Sequence, residues 1–158
     1  AAKLAKRGKV FVYEPLEENF NLLKKNILLN KVNNIRAFKQ GIAGKKGKRE
    51  LVISDNNTGG HSFYAEGSNK VKIETITLKD VFERNKIKTC DFLKMDCEGA
   101  EYEILYNVPL KYLERIRSIS LEYHKNNSII NLKAFLESAG FHVGIEELGE
   151  LLYAWRVA

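Results

Sequence analysis

Hydrophobic positions in this chain alternate between short apolar runs and stripes that repeat every three or four residues. Val10 to Tyr13 is an apolar, β-prone run and predicts a buried strand, which Glu14-Pro15 ends because proline has no N–H for a ladder. Leu16, Phe20, Leu23 and Ile27 share one stripe and predict an amphipathic helix over 16–30. Asn33-Asn34 marks a turn, and 35–38 reads as the next strand. The Gly- and Lys-rich residues 41–47 predict a loop, 50–54 a short strand and 56–61 a second irregular segment. Val71, Ile73 and Thr75 alternate with polar residues, which fits a half-exposed strand. Thr77 with Asp80 has the spacing of a capping box and opens a helix over 78–85.

The second half continues the alternation. A strand is predicted over 92–95, and an amphipathic helix follows from Tyr102 until Pro109 stops it. Residues 116–123 read as a strand, and 129–139 as a helix with Ser128 as its cap and Gly140 just past its end. Residues 141–145 and 151–157 are two strands whose short connection suits an antiparallel hairpin. Ala1 to Arg7 reads as the tail of a helix closed by Gly8. The pattern predicts an α/β fold: a mostly parallel sheet covered on both faces, with an antiparallel strand at or near one edge.

A length of 158 residues suits one domain. No stretch approaches the roughly 20 apolar residues of a membrane span, and the N-terminus lacks the apolar core of a signal peptide. Cys90 and Cys97 are too few for a disulfide framework, so a reducing cytoplasm is the expected location. The net charge is +6, clustered at Lys3, Lys6, Arg7 and Lys9 and at Lys45, Lys46, Lys48 and Arg49. These charges lack interleaved aromatics, so a solvated surface is the first reading and nucleic acid or another anionic partner the second.

Candidate chemistry gathers at strand ends, where ligands of open α/β sheets bind. Glu14 ends the first strand, and a carboxylate has two acceptor oxygens that match a vicinal diol; the alternative is an acid facing solvent. Lys94 to Glu101, KMDCEGAE, places Asp96, Glu98 and Glu101 at a strand-to-helix turn. Asp96 as a helix cap and Glu101 near a helix's positive end would explain part of it. Neither explains Lys94 among apolar neighbours, which calls for a carboxylate partner. Glu122 and His124 lie two apart on a strand and share a face with Ser120. If that strand neighbours the Lys94 strand, the two converge on Asp96 and Glu98. A carboxylate-oriented histidine suits a general base, and a surface His–Glu pair is the alternative. His142 reads as structural, His61 as a residue of a mobile loop, and Met95 and Trp155 as core.

Taken together, VFVYEPLEENFNLLKKNILLN, FLKMDCEGAEYEIL and ISLEYH resemble the FkbM-type methyltransferases. The family pattern is a strand ending Glu-Pro, a helix with spaced Leu and Asn, Lys-x-Asp-x-Glu-Gly-x-Glu, then a strand ending Glu-x-His. The ordered match runs from about Val10 to His124, and the later SAGF fits as well. The resemblance implies a Rossmann-like seven-stranded methyltransferase sheet, mostly parallel with an antiparallel C-terminal hairpin. It implies S-adenosylmethionine as cofactor and methyl transfer to an oxygen, such as the hydroxyl of a sugar or other small molecule. It places Glu14, with Pro15 beside it, on the ribose hydroxyls, and Gln40, Gly41 and Ile42 near the adenine. Asp96 would lie near the methionyl end and the transferred methyl, with Glu98, Glu122 and His124 bordering the acceptor.

In one respect the sequence departs from that pattern. The glycine-rich loop that follows the family's first strand and cradles the methionine part is absent, and Ala1 to Lys6 resembles the end of the helix after it. The resemblance thus implies a single, N-terminally incomplete domain with two unpaired sheet edges and a groove where the central first strand would lie. Poor cofactor affinity would follow if the segment is missing. His124 oriented by Glu122, or else Asp96, is the expected base for a hydroxyl acceptor. No metal is assigned, the alternative being Mg²⁺ or Mn²⁺ held by Asp96, Glu98, Glu122 and His124. Two rivals remain: an RNA methyltransferase and a non-catalytic binding module. The Asn/Asp-Pro-Pro-aromatic motif of enzymes that methylate base nitrogens is absent here. Asn56 to Asn69 is the expected acceptor-side insertion.

Overall fold

A computed structural model describes residues 1–53, 62–63, 69–123, 128–146 and 148–157. Among these residues nine strands and five helices form an α/β fold. Strand β1 (Val10–Tyr13) leads into helix α1 (Glu17–Leu29) and returns as β2 (Ile35–Phe38), which pairs parallel to β1. Next come β3 (Gly41–Ile42), β4 (Gly47–Val52) and β5 (Lys70–Ile76). Helix α2 (Leu78–Arg84) precedes β6 (Leu93–Met95), and α3 (Glu101–Asn107) and α4 (Leu110–Leu113) precede β7 (Ser118–Glu122). Helix α5 (Ile129–Ser138) ends at Gly140, whose φ of 86° is the left-handed closure expected of glycine. Strands β8 (His142–Glu146) and β9 (Leu151–Trp155) form the antiparallel hairpin.

Among the described residues the strands form no single seven-stranded sheet, and β1 and β6 each end a ladder, as expected where the central first strand would lie between them. The strands form three sheets, in the orders β1-β2, β3-β5-β4 and β6-β7-β9-β8. Among the described residues β1 pairs only with β2 and β6 only with β7, so no ladder there joins the two groups. The residues expected to be a loop, 41–47, instead supply β3, parallel to β5, and the first residue of β4, antiparallel to it. Residues 1–8 make successive turns and no helix, closed by Gly8 N–H to Ala5 O at 3.1 Å. Asn34 holds these turns by donating from Nδ2 to Ala5 O at 2.8 Å and Ala2 O at 3.0 Å.

Alternation along β6, β7 and β9 decides where the core sits. Met95, Ile119, Leu121, Leu152 and Ala154 turn inward and join one buried cluster with α2 (Val81, Phe82), α3 (Ile104, Leu105), α4 (Leu113) and α5 (Leu132, Leu136). Each large apolar side chain so buried contributes about 1.5–3 kcal/mol. Residues of opposite parity face the other way, and the register sets Ser118 against Trp155 and Ser120 against Tyr153. Tyr153 and Trp155 remain exposed there. Among the described residues the sheet is therefore covered on one face, not two, and Trp155 is a surface residue, not core. Helix α1 leaves this unchanged: its stripe of Phe20, Leu23 and Ile27 is only half-buried, and the helix buries no residue fully. No helix among the described residues is long and apolar enough to cross a membrane.

Contacts between side chains link the first sheet to the core. Tyr13 stacks on Phe38 at 4.8 Å and accepts a 2.8 Å hydrogen bond from Asn85, just after α2. The capping box holds the other end of α2: Thr77 N–H donates to Asp80 at 3.0 Å, and Asp80 N–H to Thr77 Oγ1 at 3.1 Å.

Candidate functional site at the carboxyl ends of the strands

The turn after β6 is built against its own backbone preference. Glu98 has φ 50° and Gly99 φ 100°, two consecutive left-handed residues, and Ala100 N–H closes the turn on Cys97 O at 3.2 Å. Glycine adopts this region freely, but glutamate does so at a cost of about 1 kcal/mol or more. What holds it is Glu101, which is 0% exposed. Its Oε1 accepts from Cys97 N–H, and its Oε2 accepts from Gly99 N–H at 2.9 Å. From the other side, Ser62 Oγ donates to the Glu98 carbonyl at 2.6 Å.

Asp96, one residue past β6, pairs with Lys94 at 3.0 Å on the exposed side of the strand. The lysine in an apolar run thus has the carboxylate partner its position called for, two residues away on the same face. The parallel register aligns Met95 with Leu121, so Asp96 and Glu122 leave neighbouring strands at the same edge. The expected adjacency of these two strands holds. Glu122 is half-buried at the end of β7. His124 lies outside the described residues, as do His61 and most of 56–69.

At the other sheet, Glu14 follows the carboxyl end of β1, and its Oε1 accepts from Leu16 N–H at 2.8 Å. Pro15 lies between them and is half-buried. Gln40 accepts from Arg84 at 3.3 Å, while Gly41 and Ile42 belong to β3 against Thr75 and Ile76. A Cβ on Gly41 would come within 2.8 Å of Ile73 Cδ1, so a larger residue there would have to push the Ile73 side chain aside. The register thus sets Asp96 beside Glu122, with Glu98 two residues beyond Asp96, while Glu14 and Pro15 follow β1 and Gln40, Gly41 and Ile42 follow β2.

Groups beside the turn stay neutral. Burial, then the neighbouring Glu101, pushes the Cys97 thiol up to about 12, and the same two causes push the Tyr102 hydroxyl up to about 12. Neither is a base or nucleophile near neutral pH. Among the described residues, no three His, Cys, Asp or Glu side chains have the arrangement to hold a metal ion. Glu101 is the residue that spacing alone undervalued: its position suggested a helix-end charge, but the N–H groups it binds precede the helix. The signal available was its place two residues after a glycine.

A second tie runs from β4 to α3. Arg49 of β4 pairs with Glu103, and its guanidinium lies 4.2 Å from the centre of the Phe63 ring. Gly44 lets the same helix approach, since a Cβ there would meet Glu103 O at 2.8 Å.

Comparison with known proteins bears on the same residues. The methyltransferase FkbM domain matches residues 1–143. Methyltransferase sdnD of Sordaria araneosa is 24% identical, over 87% of this chain and 66% of its own length. Methyltransferase 1 of Beauveria bassiana is 23% identical, over 87% of this chain and 64% of its own. The chain thus spans just under two thirds of these relatives. A SAM-dependent methyltransferase from Aquifex aeolicus covers 98% of this chain, and 72% of that protein, with a TM-score of 0.44 and 17% identity. With the FkbM pattern running through β1, β6 and β7 and the turn between β6 and α3, this chain belongs to the FkbM methyltransferase domain family.

Proposed function

We propose that this domain transfers a methyl group from S-adenosylmethionine to the hydroxyl oxygen of a small molecule or sugar. The observation that carries the reading is the acidic edge: Asp96 and Glu122 leave registered parallel strands side by side, with Glu98 on a turn clamped from both sides. Family membership supplies the class of chemistry.

The residues present fit the cofactor at one observable point. Glu14 sits at the carboxyl end of β1 with Tyr13 and Phe38 stacked beside it, a carboxylate placed for a ribose diol. The family reading adds Pro15, Gln40, Gly41 and Ile42 around the nucleoside. The cofactor, when bound, supplies a methyl group activated by a positive sulfonium. The protein's tasks are to align the acceptor oxygen and to take its proton. His124 oriented by Glu122, or else Asp96, is the proposed proton acceptor, and Glu98 and Glu122 border the acceptor.

The test is methyl transfer by the full-length product of the gene, using methyl-labelled S-adenosylmethionine and a panel of sugar and small-molecule alcohols. A rise in melting midpoint with the cofactor and label in an alcohol are expected. No shift and no transfer would sink the reading. RNA is the second reading, favoured by an open hollow of about 270 Å³ whose lining includes Lys46, Lys48 and Arg84 beside Gln40 and Glu74. RNA binding that weakens steeply with salt, together with label in RNA, would select it.

A further inference from the structure

We propose that Glu101 is a positioning residue for the reaction: buried beneath the turn and bound to the N–H groups of Cys97 and Gly99, it fixes how Asp96 and Glu98 face the acceptor. The inference rests on the methyltransferase reading of the site.

Three observations carry it. First, burying a carboxyl group is costly unless its oxygens are hydrogen-bonded, and both oxygens here go to the turn. Second, the N–H groups concerned precede α3. A carboxyl serving only the helix's positive end would bind the first N–H groups of the helix itself, Glu101 to Glu103. Third, the turn is already closed by Ala100 N–H on Cys97 O, so the clamp is not needed to make a turn. It selects the left-handed form, in which Glu98 pays a conformational cost, over the common right-handed one. Glu101 is a rigid anchor for this because it opens α3, whose Ile104 and Leu105 are 1% and 0% exposed in the core. The side chain touches no acceptor; it acts through the turn.

The experiment compares the wild type with Glu101→Gln and Glu101→Asp. Melting midpoint, cofactor affinity by calorimetry, and kcat per folded molecule across pH are read for each. Glutamine keeps the shape but sets an NH₂ against a backbone N–H, so one clamp is lost. The expected result is a folded Glu101→Gln chain whose kcat falls about a hundredfold, the scale of a small misplacement at a reacting centre. Its kcat–pH profile should be displaced and its cofactor affinity changed far less. Should Glu101→Gln not fold, Glu101→Asp is judged by the same readings. A kcat per folded molecule and a pH profile equal to wild type would overturn the positioning role. So would failure of both variants to fold, which would assign Glu101 to the fold alone. A wild type that transfers no methyl group overturns the methyltransferase reading and this inference with it, an outcome distinct from an active wild type with a silent Glu101→Gln.

Discussion

Ser62 Oγ donates a 2.6 Å hydrogen bond to the carbonyl of Glu98, joining two residues 36 positions apart. Ser62 also exchanges backbone bonds with Val52, so the end of β4 is tied to the acidic turn. Ser62→Ala should lower stability by about 0.5–1.5 kcal/mol, the net value of one such bond. Urea unfolding of the two chains measures it, and equal midpoints would show that the bond carries no weight.

Glu98 offers a separate test of stability against function. A left-handed glutamate costs free energy that glycine does not, so Glu98→Gly should leave stability unchanged or raise it by up to about 1 kcal/mol. If the side chain borders the acceptor, the same variant loses turnover. Melting and methyl transfer measured on one preparation check both halves, and a variant that is stabler and fully active would free Glu98 from the site.

Glu14→Gln removes the negative charge that the ribose hydroxyls are expected to meet. The loss of a charge-assisted hydrogen bond, about 1.5–3 kcal/mol, predicts a tenfold to hundredfold weaker S-adenosylmethionine affinity with the fold intact. Calorimetric titration reads it directly. Unchanged affinity would remove Glu14 from the cofactor site.

Acid should weaken the start of α2. Burial pushes the Asp80 carboxyl up, but the hydrogen bonds from Thr77 outweigh it and hold the carboxyl below its ordinary 3.8. A folded pKa below the unfolded one means the contribution is fully present above about 3.8 and lost as pH falls through the lower folded value. Asp80→Asn should therefore cost stability at pH 7 and little at pH 2. A penalty of the same size at both would refute the assignment.

Both thiols should resist alkylation in the folded chain. Burial is the chief cause that pushes Cys90 up to about 11 and Cys97 up to about 12, so at pH 8 each is almost wholly protonated, and the thiolate is the reactive form. Iodoacetamide at pH 8 should label neither quickly in buffer and both in concentrated urea, as mass spectrometry would show.

What could be read from the residues divides along physical lines. Periodicity located β1, β2, β5, β7, α2 and the final hairpin, because each has a clean apolar rhythm or a cap of its own. The capping box of Thr77 and Asp80 was visible as two residues at a fixed spacing. Strand β3 and the start of β4 were not, since Gly41 and Gly47 read as loop while pairing with β5 supplies what local preference lacks; the rest of β4 falls in the strand expected over 50–54. The helical reading of 1–7 failed because its turns are held from outside, by Asn34, a partner far along the chain. Asp96, Glu98 and Glu122 could be named from their strand ends. The grip of Glu101 on the turn was not read, because Gly99 announces a left-handed position but the second one falls on Glu98, a residue type that does not.

The solvent-facing side of β9 gives this chain an optical reporter. Its one tryptophan, Trp155, stacks on His142 at 6.0 Å, outside the interior. Emission from that half-exposed indole should already be red-shifted in the native state. Melting of the interior would change it little, whereas anything laid across that side of the sheet would move it toward the blue.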